Sequence, residues 1–174
     1  MDPVDHFSNL QVDVSSLPKY EEVELLPLAP KYLLKLHIST TISFLFFMGG
    51  AVIAYSFLQD FRGYLLVLML LFFVIFGWSY FSNYQLMKRN GYALRQKDII
   101  FRRGFLFQKT TVVPFNRIQH VSVERGVIDK ALNLATLKIY TAGGSGSDLS
   151  IPGLLPETAF SLKEELSNRM SGHV

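Results

Sequence analysis

Two stretches decide how this chain is read: ISTTISFLFFMGGAVIAYSFL, residues 38–58, and YLLVLMLLFFVIFGWSYF, residues 64–81. Neither carries a formal charge over its 21 and 18 residues. About 20 apolar residues rising ~1.5 Å each cover the ~30 Å hydrocarbon layer of a bilayer, so both read as spanning helices. Only Gln59-Asp60-Phe61-Arg62-Gly63 separates them. So short a turn sends the second helix straight back, giving an antiparallel hairpin over residues 31–81 with both chain ends on one side. The first stretch lies too far from the N-terminus, and is too poor in a small-residue cleavage site with a basic n-region, to be a signal peptide, and it reads as a retained anchor.

The flanks give the orientation. Lys31 and Lys35 precede the first span, Lys88 and Arg89 follow the second, and the connecting turn has only Arg62. Lys and Arg near span ends stay on the cytoplasmic side, so both termini are expected there. Tyr55 and Tyr64 at one boundary, with Trp78, Tyr80 and Tyr84 at the other, fit interfacial aromatic belts. No Asp, Glu, Lys, Arg or His lies inside either span, which leaves two helices ill-suited to carry an ion or a proton. Thr40, Ser43, Gly50 and Ala54 share a stripe of the first helix, where small side chains let another helix come close. That helix is either the second span, near Gly77, or one from another copy of the chain.

Residues 1–30 read as an irregular cytoplasmic leader, with Pro3, Pro18, Pro27 and an acidic cluster at Glu21, Glu22 and Glu24. The 93 residues from Ser82 to Val174 suffice for one small domain. They hold thirteen Lys/Arg against seven Asp/Glu, whereas residues 1–37 hold three against six. The basic charge is densest just after the hairpin, at Lys88, Arg89, Arg95, Lys97, Arg102 and Arg103, opposed only by Asp98.

Short runs at 92–95, 98–103, 105–113, 118–125, 136–141 and 148–151, punctuated by Gly104 and by Gly143–Ser147, read as strands. Ala159, Phe160, Leu162, Leu166 and Met170 then recur at helical spacing behind Pro156-Glu157. Successive strands and one terminal amphipathic helix predict a curved antiparallel sheet capped by that helix.

Five pieces in order carry a family resemblance: Gly91-Tyr92-Ala93-Leu94; Ile99-Ile100-Phe101-Arg102-Arg103-Gly104; Val113-Pro114-Phe115-Asn116-Arg117-Ile118-Gln119-His120-Val121; Leu134 through Gly144; and Ile151-Pro152-Gly153-Leu154. Together, over about 80 residues, they resemble the bacterial pleckstrin-homology-like (PH-like) domain of YdbS-like inner-membrane proteins, and the preceding hairpin matches that family's layout. The resemblance implies a PH-like fold, a bent antiparallel sheet with a C-terminal helix plugging one end. It also suggests a longer relative with tandem copies of the domain as one candidate partner, beside self-association. One departure is Asn133, where a glycine is expected; Asn also tolerates a left-handed turn.

The chemistry points away from catalysis. There is no cysteine, and His6, His37, His120 and His173 are scattered without metal-site spacing. His120, in a strand, reads as structural. No G-x-S-x-G elbow is present, and Gly143–Ser147 lacks the Gly-Lys-Ser/Thr of a phosphate loop. No cofactor or metal is expected. Nucleic acid is disfavoured because Phe101, Phe105, Phe107 and Phe115 read as core rather than as a stacking platform. Eukaryotic PH domains that hold inositol phosphates set Lys and Arg around a long first loop; here Arg95–Asp98 is too short for one. The leading expectation is a non-enzymatic module that binds another protein or assembles with its own copies through a strand edge or the loops at Arg117–His120 and Gly143–Ser147. The alternative is contact with anionic lipid headgroups through Lys88–Arg103, each cation contributing about 1 kcal/mol near a charged surface; Arg102, Arg103 or Arg117 could also hold a ligand.

Overall fold

The computed structural model of the protein describes residues 23–142 and 149–171. A two-residue strand β1 (Leu26–Pro27) leads into helix α1 (Lys31–Phe57), a 3-10 turn (Gln59–Phe61) and helix α2 (Arg62–Arg89). Then follow β2 (Gly91–Leu94), β3 (Asp98–Arg103), β4 (Lys109–Pro114), a 3-10 turn (Phe115–Arg117), β5 (Ile118–Glu124), α3 (Val127–Leu132), β6 (Ala135–Thr141), β7 (Leu149–Leu154) and α4 (Pro156–Ser171).

The helices α1 and α2, 27 and 28 residues long, are apolar on all sides and long enough to cross a membrane. Most of their large apolar side chains face outward, Phe46, Val67 and Leu70 among them. Such a surface is unstable in water and stable in lipid. Between the helices, Phe44 meets Phe73 and Phe76 edge-on, and Phe47 meets Phe72. Nearer the domain, Asn83 Nδ2 donates to Thr40 Oγ1 at 3.0 Å, and the Thr41 and Tyr80 hydroxyls lie 2.6 Å apart. A Cβ added at Gly50 or Gly77 would meet nothing within 4 Å. Contact between the two helices therefore does not depend on either glycine, contrary to the expected approach near Gly77.

The strands form two antiparallel sheets, ordered β1-β2-β3-β4 and β5-β6-β7. The core between them is built from Ile99, Phe101, Val113, Phe115, Leu137, Ile139 and Ile151, and α4 closes it with Ala159 and Leu166. The two long helices and this capped pair of sheets are the expected PH-like architecture. Asn133 ends α3 at φ 54°, ψ 54°, in the left-handed conformation that a glycine would otherwise supply.

Several boundaries differ from the sequence reading. Of the segment expected to be irregular, residues 1–22 lie outside the described residues, and its end is not irregular: Leu26 and Pro27 pair with Tyr92 and Gly91, and Leu28 is 2% exposed in the domain core. Tyr32 and Met87, from the two ends of the hairpin, also pack on that core. The domain thus draws residues from both sides of the hairpin rather than starting at Ser82, and α2 continues to Arg89. Residues 105–108 belong to a turn rather than a strand, and Phe107 and Phe160 are exposed rather than core. The Gly143–Ser147 loop, His6 and His173 lie outside the described residues.

Candidate functional site at the junction of hairpin and domain

The start of α1 is fastened to the domain by three contacts. The Ala29 N–H donates to the Gly153 carbonyl at 2.8 Å. The Tyr32 ring lies against Gly153, which has φ 69°; a side chain there would run into the ring as well as strain the backbone. Asp129, 6% exposed, uses its two carboxylate oxygens separately. One accepts the Gly126 N–H that opens α3, and the other lies 2.6 Å from Lys35 Nζ on α1. Burial makes this ion pair sensitive to loss of either member.

At the end of α2, Asn90 Oδ1 accepts the Gly104 N–H at 2.9 Å, and Arg89 donates to the Phe105 carbonyl at 3.3 Å. The Arg89 guanidinium also stacks over the Phe105 ring, 5.0 Å from its centroid, and Phe81 meets the same ring from the side. Gly104, at φ 114°, reverses the chain where any Cβ would collide with the Phe107 carbonyl. Five residues, Gly104–Gln108, thus close the β3–β4 hairpin, in which Arg103 pairs across to Lys109. A cavity of about 430 Å³ lies between hairpin and sheet, lined by Tyr32, Leu36, Leu86, Asn90, Arg103 and Lys109 among others.

The structure divides the seven basic residues singled out in the sequence among three places. Lys88 and Arg89 end α2, Lys88 over the Tyr84 ring. Arg102 and Arg103 finish β3 at the same junction, Arg103 on the core-facing side with Phe101 and lining the cavity. Arg95 and Lys97 sit at the opposite end of the sheet, in the β2–β3 turn. There Arg95 forms a fork with Asp98 at 2.6 and 2.5 Å, a hydrogen-bonded pairing that raises the guanidinium above its ordinary value. Arg169 of α4 donates to the Arg95 and Gln96 carbonyls, bonds Glu165 and covers the Phe115 ring. Arg117 lies apart on the turn before β5, beside a groove of about 400 Å³ along Thr111–Pro114. His120 is exposed on β5, stacked on Tyr140 at 4.0 Å.

The sequence reading missed Lys109, Asn90 and Tyr32. Their signal was weak: Lys109 stands alone in charge, and its closeness to Arg103 depends on the tight turn at Gly104.

Comparisons with known proteins agree with this architecture. The family model described as the bacterial PH domain matches residues 39–170. The UPF0699 transmembrane protein YdbS of Bacillus subtilis (strain 168) is 36% identical over 76 residues, 44% of this chain. The aligned stretch spans about half, 46%, of that relative's length. No solved structure gives a significant match. With the family match running from within α1 into α4, across hairpin, sheets and capping helix alike, this chain belongs to the bacterial PH domain family.

Proposed function

We propose that the chain is a non-enzymatic interaction module of the bacterial inner membrane. In this reading α1 and α2 cross the bilayer, and the Lys and Arg flanking them keep both ends of the hairpin cytoplasmic. The PH-like domain, fixed at the membrane by Leu28, Tyr32 and Asp129, binds an extended segment of another protein chain. The observation that carries this is the outer edge of β4, which among the described residues pairs only with β3.

An unpaired edge presents a row of backbone donors and acceptors to any extended segment that can lie alongside. Proteins commonly protect such edges with Lys or Pro. Here Lys109 and Pro114 stand only at the two ends, and Val112 between them is 39% exposed. The adjoining groove reaches Arg117, a cation suited to an acidic residue of the guest.

A photo-crosslinking residue at Thr111, expressed in cells, tests this. A defined adduct is expected, weakened by Val112→Lys, and mass spectrometry of the joined chains identifies whether the guest is a tandem-domain relative or a second copy. Absence of any protein adduct at β4, with the chain membrane-inserted, contradicts the proposal. A second reading, contact with anionic headgroups, is favoured by Arg103 and Lys109 lining one cavity at the hairpin, with Arg89 bonded to the same β3–β4 turn.

A further inference from the structure

Two of the four phenylalanines expected in the domain core are not there. Phe105 lies against α2, and Phe107 is 90% exposed beside Leu106 at 68%. We propose that this β3–β4 turn is a third membrane contact, in which Leu106 and Phe107 enter the leaflet where α1 begins and α2 ends, while Arg89, Arg103 and Lys109 engage anionic lipid phosphates at its surface. The inference rests on α1 and α2 crossing the bilayer, and not on the protein-binding role of β4.

The turn is held in place rather than left loose. Gly104 is tied to Asn90, and Phe105 is clamped between Phe81 and Arg89. Phe81 and Arg89 are eight residues apart on α2, about 12 Å along its axis. Trp78, Phe81 and Tyr84 precede Lys88 and Arg89 along this stretch, an order that matches the passage from acyl chain to headgroup. The apolar outer surface of α2 therefore continues through Phe81 and Phe105 to the turn.

Amphipathic segments that lie in the interface bury apolar side chains about 5–10 Å below the headgroups, with cations on the polar side. The turn has that arrangement in miniature. Arg103 and Lys109, paired across its two strands, are exposed and have no carboxylate partner among the described residues. Asp129, the buried acid beside the start of α1, already pairs with Lys35. A phosphate-rich surface supplies the missing negative charge and lipid covers the two apolar side chains, so one partner satisfies both halves of the turn.

The chain has no cysteine, so single labels can be placed freely. Full-length protein carrying Phe107→Cys with an environment-sensitive fluorophore is reconstituted in nanodiscs of equal phosphatidylcholine and phosphatidylglycerol. Acyl-brominated lipid is expected to remove most of the emission, and aqueous iodide little of it. A label at Gln96→Cys, in the β2–β3 turn, shows the reverse. Arg103→Glu with Lys109→Glu is expected to shift the residue-107 label toward iodide, without moving a Leu70→Cys label within α2. Iodide quenching at 107 equal to that at 96 overturns the proposal, as does shielding from both quenchers, which assigns the turn to a protein contact. Quenching at 107 by brominated lipid that the charge reversal leaves unchanged contradicts the phosphate contact. Iodide access at Leu70 overturns the spanning itself, and this inference with it.

Discussion

The two ends of the β2–β3–β4 sheet use the same residue types in opposite ways. At the end away from the hairpin, Arg95 is forked onto Asp98, and Arg169 is bonded to Glu165 and two carbonyls while covering the buried Phe115. Cation and aromatic ring there complete each other inside the protein. At the hairpin end Arg89 also covers a ring, that of Phe105, but Arg103 and Lys109 have no carboxylate partner among the described residues, and Phe107 faces outward. A distal end satisfied within the chain needs only water around it. The proximal end is stabilised by the hairpin and, in our proposal, by the lipid beside it.

Substitutions can break this contrast from either side, and the largest effect is expected at the proximal end. Leu28→Ala removes a core side chain contributed from before α1. Its cost should be about 2–5 kcal/mol, as for buried leucines generally, read as a lowered unfolding midpoint of the full chain in detergent. A wild-type midpoint would show that β1 and Leu28 are dispensable and that the domain starts after the hairpin.

Gly153→Ala comes next, combining backbone strain at positive φ with collision against Tyr32. About 1–3 kcal/mol is expected, and the additional Tyr32→Ala should recover only the part due to the clash. Lys35→Met removes the cation that lies 2.6 Å from the buried Asp129 carboxylate. Because Lys35 keeps about a quarter of its side-chain exposure, the cost should fall near 1–3 kcal/mol, below the range for fully buried pairs. A thermal melt of the single and double variants with Asp129→Asn measures the coupling.

The distal end should be far more tolerant. Arg95→Ala breaks a partly exposed fork, with about 0.2–1 kcal/mol expected, and it should leave membrane contacts unchanged. The smallest effect concerns Lys138 on β6, whose hydrogen bond with Glu124 raises its pKa above the ordinary 10.5. The pair's contribution is present below that value and fades as pH rises through the raised one. Lys138→Met should therefore remove a slight loss of stability on the alkaline side, detectable as a flatter pH profile.

Much of this architecture was legible in the residues. An uncharged run of 18 or more apolar residues has few other solutions, so the hairpin was plain. Alternating β-branched and aromatic residues from Thr136 to Thr141 announced β6, and the periodic Ala159, Leu162 and Leu166 announced α4. Strand β1 gave no such signal: two residues, one of them proline, have no periodicity, and their pairing with β2 depends on a hairpin that brings residues 26 and 92 together. Helix α3, at six residues, is likewise too short to announce itself.

The candidate site was the least legible. Lys88 to Arg103 formed a cluster in sequence, yet a β-strand carries its two ends apart, and Arg95 and Lys97 went with the far one. Phe105 and Phe107 had the pattern of buried strand residues because Phe-Leu-Phe ahead of Thr-Thr-Val-Val looks continuous with β4. Gly104 was rightly placed at a reversal, but which side of that reversal met α2 was a tertiary fact.

The expectations at the hairpin end depend on the hairpin and the domain forming one body through Leu28, Tyr32 and Asp129. The most direct measurement is the spin-label distance between Gln59→Cys in the hairpin turn and Lys163→Cys on α4, in the full chain in lipid nanodiscs. A single narrow distribution is expected, broadened by Gly153→Ala. A broad distribution in the otherwise unaltered chain would mean that the domain swings freely on its helices, and would contradict the account.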